Sequence, residues 1–315
     1  MSPAEARVLG ARVIANVEQA LFGKRDSIRM ALVSLAARGH LLVEDLPGVG
    51  KSTLALGLAR SLDLPFARIQ FTSDLLPSDI LGLSTWDAKE GAFTFRPGPI
   101  FHSVILADEL NRTPPRTQSA LLEAMAEGQV TLDGRTLPLP RPFFVVATLN
   151  PQEQHGTYPL PESQLDRFLM RLELGHPDAA TERRLLLSRR GFEPVSELSP
   201  VAGAMELTRL QLGAAQVRLD PLVADHVLAI AAATRDPARF ALGLSPRGSL
   251  ALVAAAKACA LLDGRDFVTP SDVKLVAPAV LVHRLRLAGR DAFEPHRRET
   301  EAEIEEILDR TPAPE

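Results

Sequence analysis

The chain has 315 residues, of which 46% are hydrophobic, and its formal net charge is −4. This length allows about two domains with well-filled cores. The small acidic excess excludes a strong whole-molecule attraction to nucleic acid or anionic lipid, so a nucleic-acid partner is not expected. The longest stretches without Asp, Glu, Lys or Arg are eleven residues, 97–107 and 142–152. A membrane helix needs about 20 apolar residues, so no span is expected.

The N-terminus and the cysteine content bear on the compartment. Residues 1–19 carry four charged side chains and lack the apolar centre of a secretory signal, which predicts a cytoplasmic protein. Cys259 is the only cysteine, so an intramolecular disulfide is excluded and a small buried side chain is expected. The histidines are scattered without the spacing of a zinc site.

The first half of the chain alternates helical and extended patterns. Apolar spacing predicts two helices at 7–21 and 28–37 and a strand at 41–44. A glycine-rich loop at 45–53, a helix at 54–62 and a second strand at 66–71 follow. Strands that alternate with helices are typical of an α/β domain with a parallel central sheet. Further buried strands are predicted at 104–107, 143–147 and 169–174.

The glycine-rich loop reads Asp-Leu-Pro-Gly-Val-Gly-Lys-Ser-Thr and departs from the phosphate-binding pattern G-x-x-x-x-G-K-[ST] only at Asp45, which replaces the first glycine. Glycines let backbone N–H groups close around a phosphate, the lysine adds a point charge, and the serine hydroxyl is suited to Mg²⁺. An ordinary strand-to-helix turn is the alternative. The predicted site for ATP and Mg²⁺ consists of Gly48, Val49, Gly50, Lys51, Ser52 and Thr53.

The apolar run 104–107 ends at two carboxylates, Asp108 and Glu109. Ligands of open α/β sheets bind at the carboxyl ends of the strands. This position predicts that Asp108 joins Ser52 in holding Mg²⁺, and that Glu109 orients and polarises the attacking water. An exposed acidic pair at the start of a loop is the alternative.

Asn150 follows the buried strand at 143–147. It is placed to hydrogen-bond the attacking water or the γ-phosphate, and a turn residue before Pro151 is the alternative. Two hairpins interrupt the α/β pattern, one at 83–95 after a short helix at 74–82 and one at 130–137 with an Asp-Gly turn, with a helix at 114–127 between them. Trp86 in the first hairpin fits hairpin packing or a partner contact.

From Asp178 onward the strands are expected to stop. Helices are predicted at 180–190, 206–217, 221–234, 246–262 and 271–287, followed by an acidic amphipathic segment at 299–309. The predicted domains are an α/β ATP-binding domain at 1–177, a helical lid at 178–290, and a C-terminal helix and tail at 291–315. Arg247 begins a helix, where the dipole disfavours a cation, and such local conflicts concentrate at functional sites.

Several long blocks of sequence together resemble the MoxR family of AAA+ ATPases, over about residues 10–290. These blocks are 44–52 (EDLPGVGKS), 70–79 (QFTSDLLPSD), 95–99 (FRPGP), 106–112 (LADELNR), 156–162 (GTYPLPE) and 164–168 (QLDRF). The resemblance implies inserts at about 74–97 and 130–140. It also implies a homohexameric ring with ATP sites between subunits. On this basis Asp108 and Glu109 look like the Walker B pair and Asn150 like sensor 1.

Two arginines take roles only from the resemblance. Arg167, which alone reads as a solvated charge, looks like the arginine finger of a neighbouring site, and Arg247 looks like sensor 2. The implied activity is a chaperone-like ATPase that remodels, matures or metal-loads a client protein, together with a von Willebrand factor A domain partner. The alternatives are a nucleotide-gated assembly scaffold and a relative of chelatases or DNA motors. The guanine-reading and ABC signatures are absent from the sequence.

Overall fold

A computed structural model of the chain describes residues 1–89, 91–132, 134–150, 156–187, 194–290 and 297–314. The helices are α1 Pro3–Val17, α2 Arg25–Ala36, α3 Lys51–Ser61, α4 Pro77–Leu81, α5 Pro115–Glu127, α6 Glu162–Leu165, α7 Ala179–Leu187, α8 Ala204–Gln216, α9 Pro221–Ala233, α10 Pro246–Leu262, α11 Pro270–Leu281 and α12 Arg297–Arg310. The strands are β1 Leu41–Glu44, β2 Phe66–Gln70, β3 Gly82–Asp87, β4 Ala92–Pro97, β5 Val104–Asp108, β6 Gln129–Leu132, β7 Arg135–Pro138, β8 Phe144–Leu149, β9 Met170–Leu172, β10 Phe240–Leu242 and β11 Arg286–Leu287.

A five-stranded parallel sheet in the order β2-β5-β8-β1-β9 forms the centre of the first half of the chain. Its central strands are continuous apolar runs because helices cover both faces of the sheet. Alternate residues of β1 point to opposite faces, so Leu41 and Val43 join one core while Leu42 joins the other. The predicted α/β fold is confirmed. The carboxyl ends of β1, β5 and β8 lie at one edge of the sheet.

Both predicted hairpins are present outside the central sheet. β3 pairs with β4 and β6 pairs with β7, each antiparallel. Glu90 and Asp133, in the predicted turns, lie outside the described residues, as does Pro151. Trp86 packs edge to face on Phe93 with ring centroids 5.3 Å apart, and it remains exposed. Hairpin packing is therefore observed, and a partner contact stays a prediction.

The second half of the chain is mainly helical. The expectation that strands stop at 178 is wrong at one place, because β10 pairs with β11 in a two-stranded antiparallel sheet. The helix predicted to reach 287 ends at Leu281. Leu285 and Leu287 continue the apolar periodicity of the helix, which explains the prediction. Leu287 is instead buried in strand β11, because a short apolar run does not distinguish a helix from a strand. The domain boundaries at 177 and 290 stay predictions.

The helices of this half are rich in alanine and leucine. Cys259 is buried in α10 as expected, and burial raises the pKa of its thiol to about 12. Across the described part of the chain, we find no helix that combines the length and the apolarity needed to cross a bilayer.

Candidate nucleotide site

The loop between β1 and α3 has the backbone geometry of a phosphate loop. Gly48 and Gly50 have φ angles of +84° and +102°, in the left-handed region that glycine adopts without strain. A Cβ on Gly50 would lie 2.5 Å from Leu21 Cδ1. Lys51 and Ser52 occupy the first turn of α3, where unpaired N–H groups and the helix dipole favour an anion.

Lys51 is held inside the loop by the loop itself. Its Nζ donates a hydrogen bond to the Asp45 carbonyl oxygen at 2.6 Å. Partial burial lowers the pKa of Lys51, and the carboxylates of Asp45, Asp108 and Glu109 act in the opposite direction. The ammonium group is therefore positioned beside the carboxylates at the end of β5 before any phosphate is bound.

Asp45, the departure from the phosphate-loop pattern, has a structural explanation. Its carboxylate is buried and accepts N–H bonds from Leu46 at 2.8 Å and from both Leu174 and Gly175 at 2.7 Å. Leu174 and Gly175 follow β9 and lead to α7. The Asp45 side chain thus links the start of the phosphate loop to the segment after β9. A glycine at this position has no side chain to make these bonds. The sequence pointed to Asp45 only as an exception to the pattern.

Thr148 organises the two carboxylates after β5. Its buried hydroxyl donates to Asp108 Oδ1 at 2.7 Å and accepts the Glu109 N–H at 2.8 Å. Glu109 has φ 59° and ψ 48°, a left-handed conformation that is uncommon for a residue with a side chain. Such conformations cluster at functional sites. Sequence reasoning assigned Thr148 no role, although it lies two residues before Asn150 on the same strand end.

The edge strand β2 supplies two further polar groups that the sequence did not reveal. Arg68 Nη2 lies 2.6 Å from Asp108 Oδ2, and Gln70 Nε2 donates to Glu109 Oε2 at 2.8 Å. Arg112 Nη1 lies 3.2 Å from the same Glu109 oxygen. Residues 68 and 70 lie on one face of a strand that pairs with β5. Two polar residues at this i, i+2 spacing were the signal in the sequence that could have predicted their place in the site.

The phosphate loop, the two carboxylates and the two β2 side chains line one cavity of about 330 Å³, which we call the phosphate pocket. Its lining residues are Pro47, Gly48, Gly50, Lys51, Ser52, Thr53, Arg68, Gln70, Asp108, Glu109 and Asn150. The Val49 side chain packs into the core. Its predicted contact with nucleotide would therefore be made by its backbone, and it stays a prediction. The Ser52 hydroxyl and the Asp108 carboxylate are hard oxygen donors in this pocket, a donor set that fits Mg²⁺.

Arg167 and Arg247 are absent from the lining of the phosphate pocket. The Arg167 guanidinium donates to the Leu122 carbonyl oxygen of α5. Arg247, more than half exposed, has Nε 3.7 Å from Asp166 Oδ2. The other Asp166 oxygen accepts a 2.7 Å bond from Arg284, a buried arginine that also binds the Phe168 carbonyl. We call this group, Asp166, Arg167, Arg247 and Arg284, the arginine face.

Comparison with known proteins agrees with this geometry. Residues 40–170 match the ATPase family associated with various cellular activities (AAA), and residues 232–307 match the AAA lid domain. Chaperone MoxR1 of Mycobacterium tuberculosis is 41% identical over 285 residues, covering 88% of this chain and 75% of the relative. The chain belongs to the MoxR family of AAA+ ATPases. It is therefore a nucleotide-binding protein that hydrolyses ATP.

Two other similar proteins extend the match over almost the whole of this MoxR-family chain. Protein YeaC of Bacillus subtilis, which is uncharacterised, is 46% identical over 303 residues, covering 96% of this chain and 94% of the relative. A crystal structure of a predicted ATPase from Cytophaga hutchinsonii has 35% identity and a TM-score of 0.87, and the match covers 99% of this chain and 97% of that one. The family resemblance inferred from the sequence is thereby confirmed.

Proposed function

We propose that this MoxR-family ATPase hydrolyses ATP with Mg²⁺ at sites shared between neighbouring subunits of a homohexameric ring. The observation that supports this most directly is the separation of the phosphate pocket from the arginine face. Arg167 follows Asp166 in the chain, Arg247 lies 3.7 Å from the Asp166 carboxylate, and neither arginine lines the pocket of its own chain. A second subunit is the simplest way to bring these two arginines to the pocket.

Within the phosphate pocket, each group has a separate task. The loop N–H groups and Lys51 bind the phosphates, while Ser52 and Asp108 would hold Mg²⁺. When bound, the metal neutralises charge that develops on the phosphoryl oxygens. Glu109 orients and polarises the attacking water, and its left-handed backbone together with Thr148 fixes its direction. Asn150, buried at the end of β8, serves as a polar contact to the water or the γ-phosphate.

On the arginine face, Arg167 acts as the finger that reaches the γ-phosphate of a neighbour. An arginine supplied in this way contributes about 10³–10⁵ in rate. Arg247 lies beside Asp166, the residue before the finger, so we place its sensor role in the same neighbouring site. Arg284 supports both, because it fixes Asp166 and the Phe168 carbonyl from the lid side.

The output of turnover is proposed to be mechanical work on a client protein. The name Chaperone MoxR1 of the Mycobacterium tuberculosis relative supports a chaperone role. We propose that this chain remodels, matures or metal-loads a client, with a von Willebrand factor A domain protein as partner, in the cytoplasm. A nucleotide-gated scaffold would instead show turnover that a client does not stimulate. The net charge of −4 speaks against a DNA motor.

The shared site is tested by mixing two inactive variants, Arg167→Ala and Glu109→Gln. The Arg167→Ala subunit keeps Glu109, and the Glu109→Gln subunit keeps Arg167. Some interfaces in a mixed ring therefore pair an intact Glu109 with an intact Arg167. We expect activity per subunit to rise with protein concentration in the wild type, and mixtures of the variants to recover part of it. The readout is phosphate release at several mixing ratios.

A control mixture combines Glu109→Gln with Lys51→Ala. Both changes fall in the phosphate pocket, so every subunit in this mixture has a defective pocket. The arginine faces are intact in both variants, but no interface contains an intact pocket, and we expect no recovery of activity. Turnover that does not change with concentration, together with no recovery in the first mixture, would show that each chain holds a complete site and would reject the proposal.

A further inference from the structure

The Asp108 carboxylate contacts a protein group through each of its two oxygens. Thr148 donates to Oδ1 at 2.7 Å, and the Arg68 guanidinium lies 2.6 Å from Oδ2. A divalent cation that binds the Asp108 carboxylate would come close to the positively charged Arg68 guanidinium, which contacts the same carboxylate. Like charges on one carboxylate repel each other, so the cation and the guanidinium compete.

The two partners of this ion pair differ in their freedom to move. The Asp108 side chain is 12% exposed and is fixed by Thr148, whereas the Arg68 side chain is 54% exposed on the edge strand β2. Gln70 Oε1 lies 3.2 Å from the same Arg68 nitrogen and offers it a second acceptor. Release of the pair therefore moves an exposed arginine and leaves the buried aspartate in place.

We propose that Arg68 is a positioning residue of the phosphate pocket, which neutralises Asp108 while no divalent cation is bound and releases it when cation and nucleotide enter together. In consequence, the empty pocket has a low affinity for free divalent cations. This inference rests on the proposed role of Asp108 in holding Mg²⁺. It assigns to Arg68 a function that is separate from the arginines of the neighbouring subunit.

The test measures Mn²⁺ binding to the full chain without nucleotide, by electron paramagnetic resonance of the free ion. In Arg68→Gln the guanidinium is lost, and we expect the Mn²⁺ affinity to rise by up to about fivefold, the upper end of the range for an exposed ion pair. Arg68→Lys keeps a cation and should bind Mn²⁺ as weakly as the wild type. Arg116→Gln removes an exposed arginine of α5 that does not line the pocket, and it controls for net charge.

Two further measurements separate this inference from the proposed metal site. Wild-type protein should bind Mn²⁺ more tightly with ADP than without it, and Asp108→Asn should reduce that binding. If either expectation fails, the assignment of Asp108 as a metal ligand is wrong. If both hold, and Arg68→Gln binds Mn²⁺ without nucleotide no more tightly than the wild type, then the role given to Arg68 alone is overturned.

Discussion

In the phosphate pocket, side chains from three strand ends and one helix point into a common cavity. On the arginine face, by contrast, three guanidinium groups contact oxygen atoms of their own chain. Pocket groups lie within hydrogen-bonding distance of one another, as the pairs Arg68–Asp108 and Gln70–Glu109 show. Arg167 instead rests on the Leu122 carbonyl and Arg247 beside Asp166. The first region is preorganised in a single chain, and the second has to exchange its present partners before it can act.

This difference teaches where assembly should matter. Groups that already converge need no second subunit to bind a nucleotide, so binding should survive in isolated chains. Electrostatic stabilisation of the transition state requires donors at the developing charge, and on our proposal the arginine face supplies them at the site of another subunit. The changes below test this division, from the largest expected effect to the smallest.

Arg167→Ala should separate turnover from binding. We expect kcat to fall by about 10³-fold or more, since a finger arginine contributes on that scale, while ADP affinity stays within about twofold of the wild type, since Arg167 does not line the pocket. ATP turnover and fluorescent-ADP titration measure the two quantities. Arg167→Lys keeps the charge without the planar fork, and should remain impaired. A parallel loss of ADP affinity would place Arg167 in its own chain's pocket.

Thr148→Val should weaken the pocket from within. The change keeps the shape but removes the hydroxyl that joins Asp108 Oδ1 and the Glu109 N–H. Misplaced catalytic groups lower rates by about 10²-fold, and we expect a loss of that order in kcat. Thr148→Ser retains the hydroxyl and should recover most of the rate. If the serine variant is as slow as the valine variant, packing and not the hydroxyl is responsible.

Asp45→Gly restores the common glycine of the phosphate loop and should destabilise the fold. The buried N–H of Leu174, and that of Gly175, would lose their acceptor, which costs about 1–3 kcal/mol for each such group. We expect the free energy of unfolding in urea to fall by about 3 kcal/mol and hydrogen exchange at these two amides to accelerate. Asp45→Asn keeps one carbonyl oxygen, so its free energy of unfolding should lie between those of the wild type and Asp45→Gly. Unchanged exchange at both amides would contradict the role given to Asp45.

His40 is buried between β8 and α5 and should make stability depend on pH. Its Nδ1 accepts the Val145 N–H of β8 at 3.1 Å and its Nε2 is 3.3 Å from the Met125 carbonyl of α5. Burial lowers its pKa from 6.5 to about 4. Its contribution is thus complete above pH 6.5 and is lost as the pH falls towards 4, by about 2 kcal/mol at pH 5.

Urea unfolding at pH 7 and pH 5 measures this loss. His40→Gln should reduce the difference between the two pH values, although it lowers stability at both. His176→Gln changes an exposed histidine and should leave the difference close to that of the wild type. An equal pH dependence in wild type and His40→Gln would assign the effect to other groups.

The sequence alone was sufficient for the features that depend on neighbouring residues. Apolar runs predicted β1, β5 and β8, and glycine spacing predicted the loop that Gly48 and Gly50 now form in the left-handed region. Because parallel strands end at one edge of the sheet, the sequence also predicted that Asp108, Glu109 and Asn150 would meet there. The two inserted hairpins followed from alternation and turn chemistry in the same way.

Only the tertiary structure decided the contacts between distant parts of the chain. Asp45 binds Leu174 across 129 residues, and Arg284 binds Asp166 across 118. Arg68, read alone, is a polar residue on an edge strand, and Thr148 a small residue in a buried one. Local periodicity shows which face a side chain takes but not which partner lies opposite, because partners are set by how strands and helices pack. The sequence therefore determined the elements of the pocket, and packing decided how they are held.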